Sequence, residues 1–202
     1  MNQNGNKIEQ YKRLLAIAEA GLFYGKDPFD EERYQELKSI ALSLLSNGEK
    51  EIEEQLAFIL DQNEGYPTPK VDVRAFIKQE NKILLVEDSH TKEWALPGGF
   101  AEIGYSPKEN IGKEVKEETG LTVTVDQLLA IFDTNTRKDI PQAFQYYKVI
   151  FGCSIIGGSF ITNIETSNSA FFALDDLPTL SQKRTTEEQL AILAKSHLPY
   201  FD

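Results

Sequence analysis

The spacing of apolar positions changes near residue 66. Ahead of it, Ile8, Tyr11, Leu14, Leu15 and Ala18 recur at steps of three and four, which predicts one face of a first helix. Asp30 is expected to cap a second helix, with Tyr34, Leu37, Ile40, Ala41, Leu44 and Leu45 as its apolar face and Asn47-Gly48 as its end. A third helix is expected over about 49–61, with Ile52, Leu56, Ile59 and Leu60 turned inward. Gly65-Tyr66-Pro67-Thr68-Pro69 then punctuates the chain, because proline fixes its own backbone and restricts the residue before it. Beyond it Val71, Val73, Ala75 and Ile77 alternate like a half-buried strand, and Ile83–Val86 is a short apolar run typical of a buried one, with a turn at Glu80-Asn81. Further strands are expected at 121–133, 144–156 and 169–174, and helices at 107–119 and about 186–197. The last helix opens on Thr185-Thr186-Glu187-Glu188, a capping-box pattern. The fold class is therefore α/β, with a small all-α domain over 1–66 and a mixed α/β domain over 67–202. Some sixty helical residues bury a small core at best, so the first domain is expected to lean on a neighbour or a second copy of itself.

Composition narrows the chemistry. One cysteine, Cys153, rules out an intrachain disulfide framework or a multi-cysteine zinc site, and His90 and His197 lie far apart. Cys153 alternates with apolar neighbours and is expected to be buried and inert. The formal charge of −11 disfavours non-specific affinity for nucleic acid or an anionic membrane. No apolar run approaches the ~18 residues that a membrane span needs. The polar start is not read as a signal peptide, so a cytoplasmic location is expected.

The stretch from Trp94 to Leu121 carries the chemistry. Ser106-Pro107-Lys108-Glu109 reads as a helix start, with serine at the cap, proline first and glutamate third, and Gly120 reads as its end. On this helix Glu114, Glu117 and Glu118 stand at i, i+3 and i+4, so three carboxylates share one face. For an arbitrary helix that is a solvated charged face. Here a Gly98-Gly99 loop precedes it, able to bring backbone close to a ligand, and Ile111 and Val115 hold the helix down. Carboxylate oxygens with water and a carbonyl suit Mg²⁺ or Mn²⁺.

Gly99, Glu114, Val115, Glu117, Glu118, Gly120 and Leu121 resemble the Nudix box, G-x5-E-x7-R-E-U-x-E-E-x-G-U with U apolar, at seven of its nine specified positions. Leu96-Pro97-Gly98-Gly99 and Phe171–Pro178 also look like Nudix features. The helical front and Lys70–Arg74 resemble a branch acting on nucleoside diphosphates linked to a second group X, including CDP-choline pyrophosphatases. Two positions depart: Tyr105 stands for the box's first glutamate and Lys113 for its arginine, and lysine lacks arginine's bidentate fork.

The resemblance implies an α/β/α sandwich with a mixed sheet, and metal-dependent hydrolysis of a diphosphate bond with Mg²⁺ or Mn²⁺ as cofactor. It implies Glu114, Glu117, Glu118 and the Gly98 carbonyl as metal ligands, with Glu114 also able to orient or deprotonate water. Glu165, the single acid between Asp139 and Asp175, is a candidate base or ligand from a loop. Arg74, Gly99 and Glu102 are candidate substrate-binding residues, Arg74 with a salt bridge as its alternative. Arg137 and Lys138 are candidates for a phosphate or sugar. Phe132, Tyr146 and Phe160 read as core before base stacking, and Trp94 as packing beneath the Gly-Gly loop. The expected substrate is a small nucleoside diphosphate, CDP-choline first, ADP-ribose next, a short RNA end as a third. A nucleotide sensor that no longer cuts is the reading from another class. The helical domain is expected to make a homodimer.

Overall fold

The computed structural model describes residues 3–61, 67–136, 145–195 and 199–202, without the side chains of 3–6, 9 and 58–61. Contacts divide the chain into two compact units, with the break between Pro69 and Lys70.

The first unit holds α1 (Gln3–Tyr24), α2 (Pro28–Leu45) and α3 (Lys50–Asp61). Leu15, Ala41 and Leu42 form its buried core, with Leu14, Leu45, Leu56 and Ala57 packed against them. Gly21 allows α1 and α2 to pack: a β-carbon there would sit 2.4 Å from the Tyr34 ring. Two expectations shift. The cap of α2 is Asp27, whose carboxylate accepts from the N–H groups of Phe29 and Asp30 at 2.8 and 3.3 Å. Pro28 takes the first helical position, where no N–H is needed, and this moves the cap three residues ahead of Asp30. The apolar face of α2 is also rotated, since Leu42 is buried while Ile40 and Leu44 are exposed. In α3, Ile52 is exposed rather than turned inward, and the side chains of Ile59 and Leu60 lie outside the described residues.

The second unit is a mixed sheet between helices. Its strands are β1 (Lys70–Gln79), β2 (Lys82–Asp88), β3 (Trp94–Ala95), β4 (Gly98–Phe100), β5 (Leu121–Asp133), β6 (Tyr146–Gly158), β7 (Thr166–Ala173) and β8 (Tyr200–Phe201), with α4 (Pro107–Thr119) and α5 (Glu187–Leu193). The order is β3-β2-β1-β6-β5-β8, with β4 added beside β1 and β7 beside β2. β1 runs parallel to β6 and antiparallel to β4, so it is central where the site forms. Glu80 and Asn81, both at positive φ, close the β1–β2 hairpin as expected.

Alternation along β1 sends side chains to two cores. Val73, Ala75 and Ile77 pack with Ile111 and Val115 of α4, and with Leu84 and Cys153. Phe76 packs on the other face with Ile83, Leu96, Phe132, Ile150 and with Leu190 and Leu193 of α5. This is the α/β/α layering. α5 is shorter than expected and is capped one residue later: Thr186 accepts from Gln189 N–H at 3.1 Å, and the Gln189 side chain accepts from Thr186 N–H at 3.3 Å. No helix among the described residues is long and apolar enough to cross a membrane.

Candidate active site

Helix α4 is fixed at both ends by its own residues. Ser106 and Glu109 form the capping box, with Ser106 N–H donating to the Glu109 carboxylate at 2.8 Å and Glu109 N–H to the Ser106 hydroxyl at 3.3 Å. Gly120 ends it at φ 74°, and the Lys116 ammonium donates to the Gly120 carbonyl at 2.8 Å. Ile111 and Val115, fully buried, fix the roll of the helix. Glu114 and Glu118 follow each by three residues and turn toward β4.

β4 receives them with two glycines. Gly98 sits at φ 138°, and a β-carbon there would fall 2.0 Å from the Val73 carbonyl oxygen, so no other residue fits. Its N–H donates to Glu118 at 2.7 Å. At Gly99 a β-carbon would lie 2.8 Å from a Glu114 carboxylate oxygen, so its bareness leaves room for that carboxylate. Leu96 N–H donates to the Thr185 hydroxyl at 2.9 Å, which tethers the segment before the glycines.

Charge is concentrated here with little solvent. Glu118 is 7% exposed. Burial raises its proton affinity, and the Glu114 charge adds to this; Arg74 and the Gly98 N–H oppose it, leaving Glu118 at about 7. Glu114 is also raised, by burial first and then by the charges of Glu117 and Glu165, against Lys113 and Arg74. Lys113 donates to Glu117 at 2.7 Å and to Glu102 at 3.0 Å, and those bonds hold its ammonium firmly protonated.

The other candidates fall into place around this centre. Arg74 is buried and paired with Asp72, Nε to a carboxylate oxygen at 2.9 Å, and it donates to the Leu96 carbonyl at 3.1 Å. Its charge therefore acts on Glu114 and Glu118 from a fixed position. Glu102 is exposed and meets Lys113 across the loop. Glu165 is exposed, and its charge adds to the raised proton affinity of Glu114. Tyr105 is exposed. Phe132 and Trp94 are core residues, Trp94 edge-on to Phe172 with ring centres 4.8 Å apart. Tyr146 is half-buried and stacked on Phe100, and Phe160 is half-buried outside the strands. Cys153 is buried and its thiol is pushed up to about 12, so it is inert. Arg137, Lys138 and His197 lie outside the described residues.

Three residues that hold the site were not legible in the sequence. Asn110, 1% exposed, accepts from Glu102 N–H at 2.9 Å and donates to the carbonyls of Glu102 and Tyr105, bracing the loop ahead of α4. Asn163 donates to the carbonyls of Glu117 and Glu118 at 2.9 and 3.0 Å and accepts from Glu165 N–H at 2.9 Å. It thereby binds the Glu165 loop to the C-terminal end of α4. Asp72 orients Arg74. A hollow of about 530 Å³ opens between Ser106, Lys108, Glu109, Gly112 and Val123–Val125, and none of the candidate residues lines it.

These residues fit a hard divalent cation. Among the described residues nothing donates to the second oxygen of Glu118 or to either oxygen of Glu114, and the acids repel one another. Among the described residues no group of three or more acid, histidine or cysteine side chains is gathered closely enough to hold a metal ion, and Glu117 is turned to Lys113 at 2.7 Å. The two carboxylates with free oxygens, Glu114 and Glu118, are the chemistry that suits Mg²⁺ or Mn²⁺, which retain water and accept phosphate oxygens as further ligands.

Comparison with known proteins decides the family. Residues 68–194 match the NUDIX domain, and residues 7–59 match a UDP-X-like, N-terminal oligomerisation domain. The chain belongs to the Nudix family. It is 43% identical to a UDP-X diphosphatase of known crystal structure, with 98% of each chain covered and a TM-score of 0.66. An ADP-ribose pyrophosphatase structure from Streptococcus suis is 44% identical over 67% of this chain and all of that one, with a TM-score of 0.59. YjhB of Bacillus subtilis, which carries a provisional ADP-ribose pyrophosphatase name, is 46% identical over 92% of this chain and 89% of its own. The protein is thus a Nudix pyrophosphohydrolase, from a family that uses divalent metals, and its chemistry is hydrolysis of a diphosphate bond.

Proposed function

We propose that this Nudix enzyme hydrolyses nucleoside diphosphates linked to a second group X, releasing a nucleoside monophosphate and phosphorylated X. The observation that carries this reading is the seating of Glu118 and Glu114 against Gly98 and Gly99. It holds a buried and a half-buried carboxylate against the backbone of one strand. The match to a UDP-X diphosphatase over both units and the ADP-ribose pyrophosphatase relatives support the substrate class. CDP-choline, UDP-sugars and ADP-ribose are its members to compare.

Glu114, Glu117, Glu118 and the Gly98 carbonyl would hold Mg²⁺ or Mn²⁺. When bound, the cation neutralises the diphosphate and acidifies water. The water oxygen attacks one phosphorus and the bridging P–O bond breaks, with the bridging oxygen leaving on the other phosphate. Glu114, whose proton affinity is raised, would take the proton of that water, and the Glu165 charge adds to that affinity. Arg74 opposes the excess negative charge from its buried pair with Asp72. Lys113 pairs with both Glu117 and Glu102, so Glu102 supplies the acidic partner that Tyr105 does not.

The helical unit carries self-association in this reading. Ile40 and Leu44 are exposed one turn apart on α2, and the matched domain is described as one of oligomerisation. A homodimer is the expected assembly. The decisive assay offers CDP-choline, a UDP-sugar and ADP-ribose with Mg²⁺ to wild type and to Glu118→Gln, and measures nucleoside monophosphate release. Turnover of at least one by wild type and its collapse in the variant are expected. No turnover of any would overturn the reading.

A further inference from the structure

Phe100 follows the two glycines that seat the carboxylates, yet it is 58% exposed. The next strand position behind it is not bare: Tyr146, the first residue of β6, lies under its ring, with centres 5.3 Å apart and planes tilted by 24°. The rings are stacked, so Tyr146 covers one face of Phe100, and among the described residues no other ring contacts it. Tyr146 is itself half-buried, and burial together with the charge of Asp72 keeps its phenol protonated. The lower ring is therefore anchored and the upper ring is presented.

The register gives the distance to the chemistry. Phe100 pairs with Asp72 of β1, and Gly98 pairs with Arg74. Two residues of extended strand separate the ring's root from the glycine that anchors Glu118, about 7 Å. That is the length of a sugar between a base and its first phosphate. Phe100, paired with Asp72, takes the side of the sheet that Asp72 and Arg74 share. An exposed phenylalanine is common; one propped by a second ring, one sugar length from a phosphate site, is better explained by a planar ligand.

We propose that Phe100, supported by Tyr146, is the shelf on which the nucleobase of the substrate stacks. This rests on the reading that the site takes nucleoside diphosphates. The shelf offers a π-face and no edge-reading group of its own, and every base has such a face. It therefore accepts uracil, cytosine and adenine alike, and selects for the presence of a base more than for its identity.

The test uses the full chain with Mg²⁺, a UDP-sugar and ADP-ribose. Phe100→Ala should raise KM about 5- to 100-fold for whichever of the two is hydrolysed, the worth of one base–aromatic stack, with kcat changed by less than threefold. Phe100→Trp should restore wild-type KM. A structural role for Phe100 would instead lower kcat and thermal stability together and would not be rescued by tryptophan. Equilibrium dialysis of UMP and AMP against both variants reads the shelf without turnover: Phe100→Ala should lose affinity for both by a similar factor. Unchanged binding of UMP and AMP overturns the shelf, even where hydrolysis proceeds. Absence of hydrolysis with binding that depends on Phe100 overturns the substrate reading and leaves the shelf.

Discussion

In the helical unit the buried core is Leu15, Ala41 and Leu42, while Ile17, Phe23, Phe29, Ile40 and Leu44 remain at the surface. In the sheet unit β1 alone feeds two cores, one under α4 and one under α5, and its buried polar groups are held: Asp72 by Arg74, Asn110 by the loop carbonyls, Glu118 by Gly98. In the sheet unit the apolar core thus encloses polar groups and fixes them, which is what a catalytic array needs. Both units leave large apolar side chains at the surface, Ile103, Ile161 and Ile164 among those of the sheet unit, but in the helical unit the described core encloses a single polar residue, Ser46.

The sharpest break in that comparison is at Glu118. Glu118→Gln keeps an oxygen for the Gly98 N–H and removes the charge. Its kcat with Mg²⁺ is expected to fall on the order of a thousandfold, the scale of several kcal/mol of charge stabilisation. Steady-state turnover within tenfold of wild type would remove Glu118 from the site.

Gly98→Ala should be the most damaging to the fold. Its β-carbon would enter the Val73 carbonyl, and the backbone angle is one that side chains rarely adopt. A loss of more than about 2 kcal/mol in urea unfolding is expected; a smaller loss would show that β4 can move away from β1.

The pH dependence of stability tests the burial of Glu118 directly. Its folded-state proton affinity is raised to about 7, above that of an unfolded glutamate. The protonated form is therefore favoured by the fold, and this stability is present below about pH 4.3 and lost as pH rises through about 7. In chelator, Glu118→Gln should match wild type near pH 4 and exceed it at pH 8 by on the order of 3 kcal/mol. Parallel melting curves at all pH values would contradict it.

Asn163→Ala should cost activity without touching a ligand. It frees the Glu165 loop from the carbonyls of Glu117 and Glu118, and a loss of about tenfold in kcat is expected, as for outer-shell partners of a metal site. An effect on KM alone would place Asn163 at the substrate instead.

The smallest effect belongs to the helical unit. Ile40→Glu with Leu44→Glu should leave the melting of the sheet unit within about 0.5 kcal/mol, since both are exposed. Light scattering should nonetheless report the mass of one chain in place of two. A retained dimer would move association to another surface.

What was legible in the sequence is what is local. Ser106, Pro107, Glu109 and Gly120 delimit α4 because their partners lie within one turn, and Ile111 and Val115 mark its packed face. Tyr105 and Lys113 were visible as departures, but the replacement partner, Glu102, was not, since it meets Lys113 across eleven residues of loop and helix. Asp27 was missed as the cap of α2 because Asp30 is equally good chemistry, and the choice was made by Pro28 between them. Leu42 and Ile40 exchanged burial because the roll of α2 is set by α1 and Tyr34, not by its own period.

The sequence by itself determined that a helix carries three carboxylates on one face, that two glycines precede it, and that the front of the chain is helical. Those are consequences of backbone period, capping and the missing β-carbon. Tertiary structure decided which carboxylates are desolvated, that Arg74 spends its guanidinium on Asp72, that Asn163 draws Glu165 to the helix end, and that Phe100 rests on Tyr146. Each joins residues that are separate along the chain or set by the burial around them, and proton affinity depends on that burial and on charges brought near by folding.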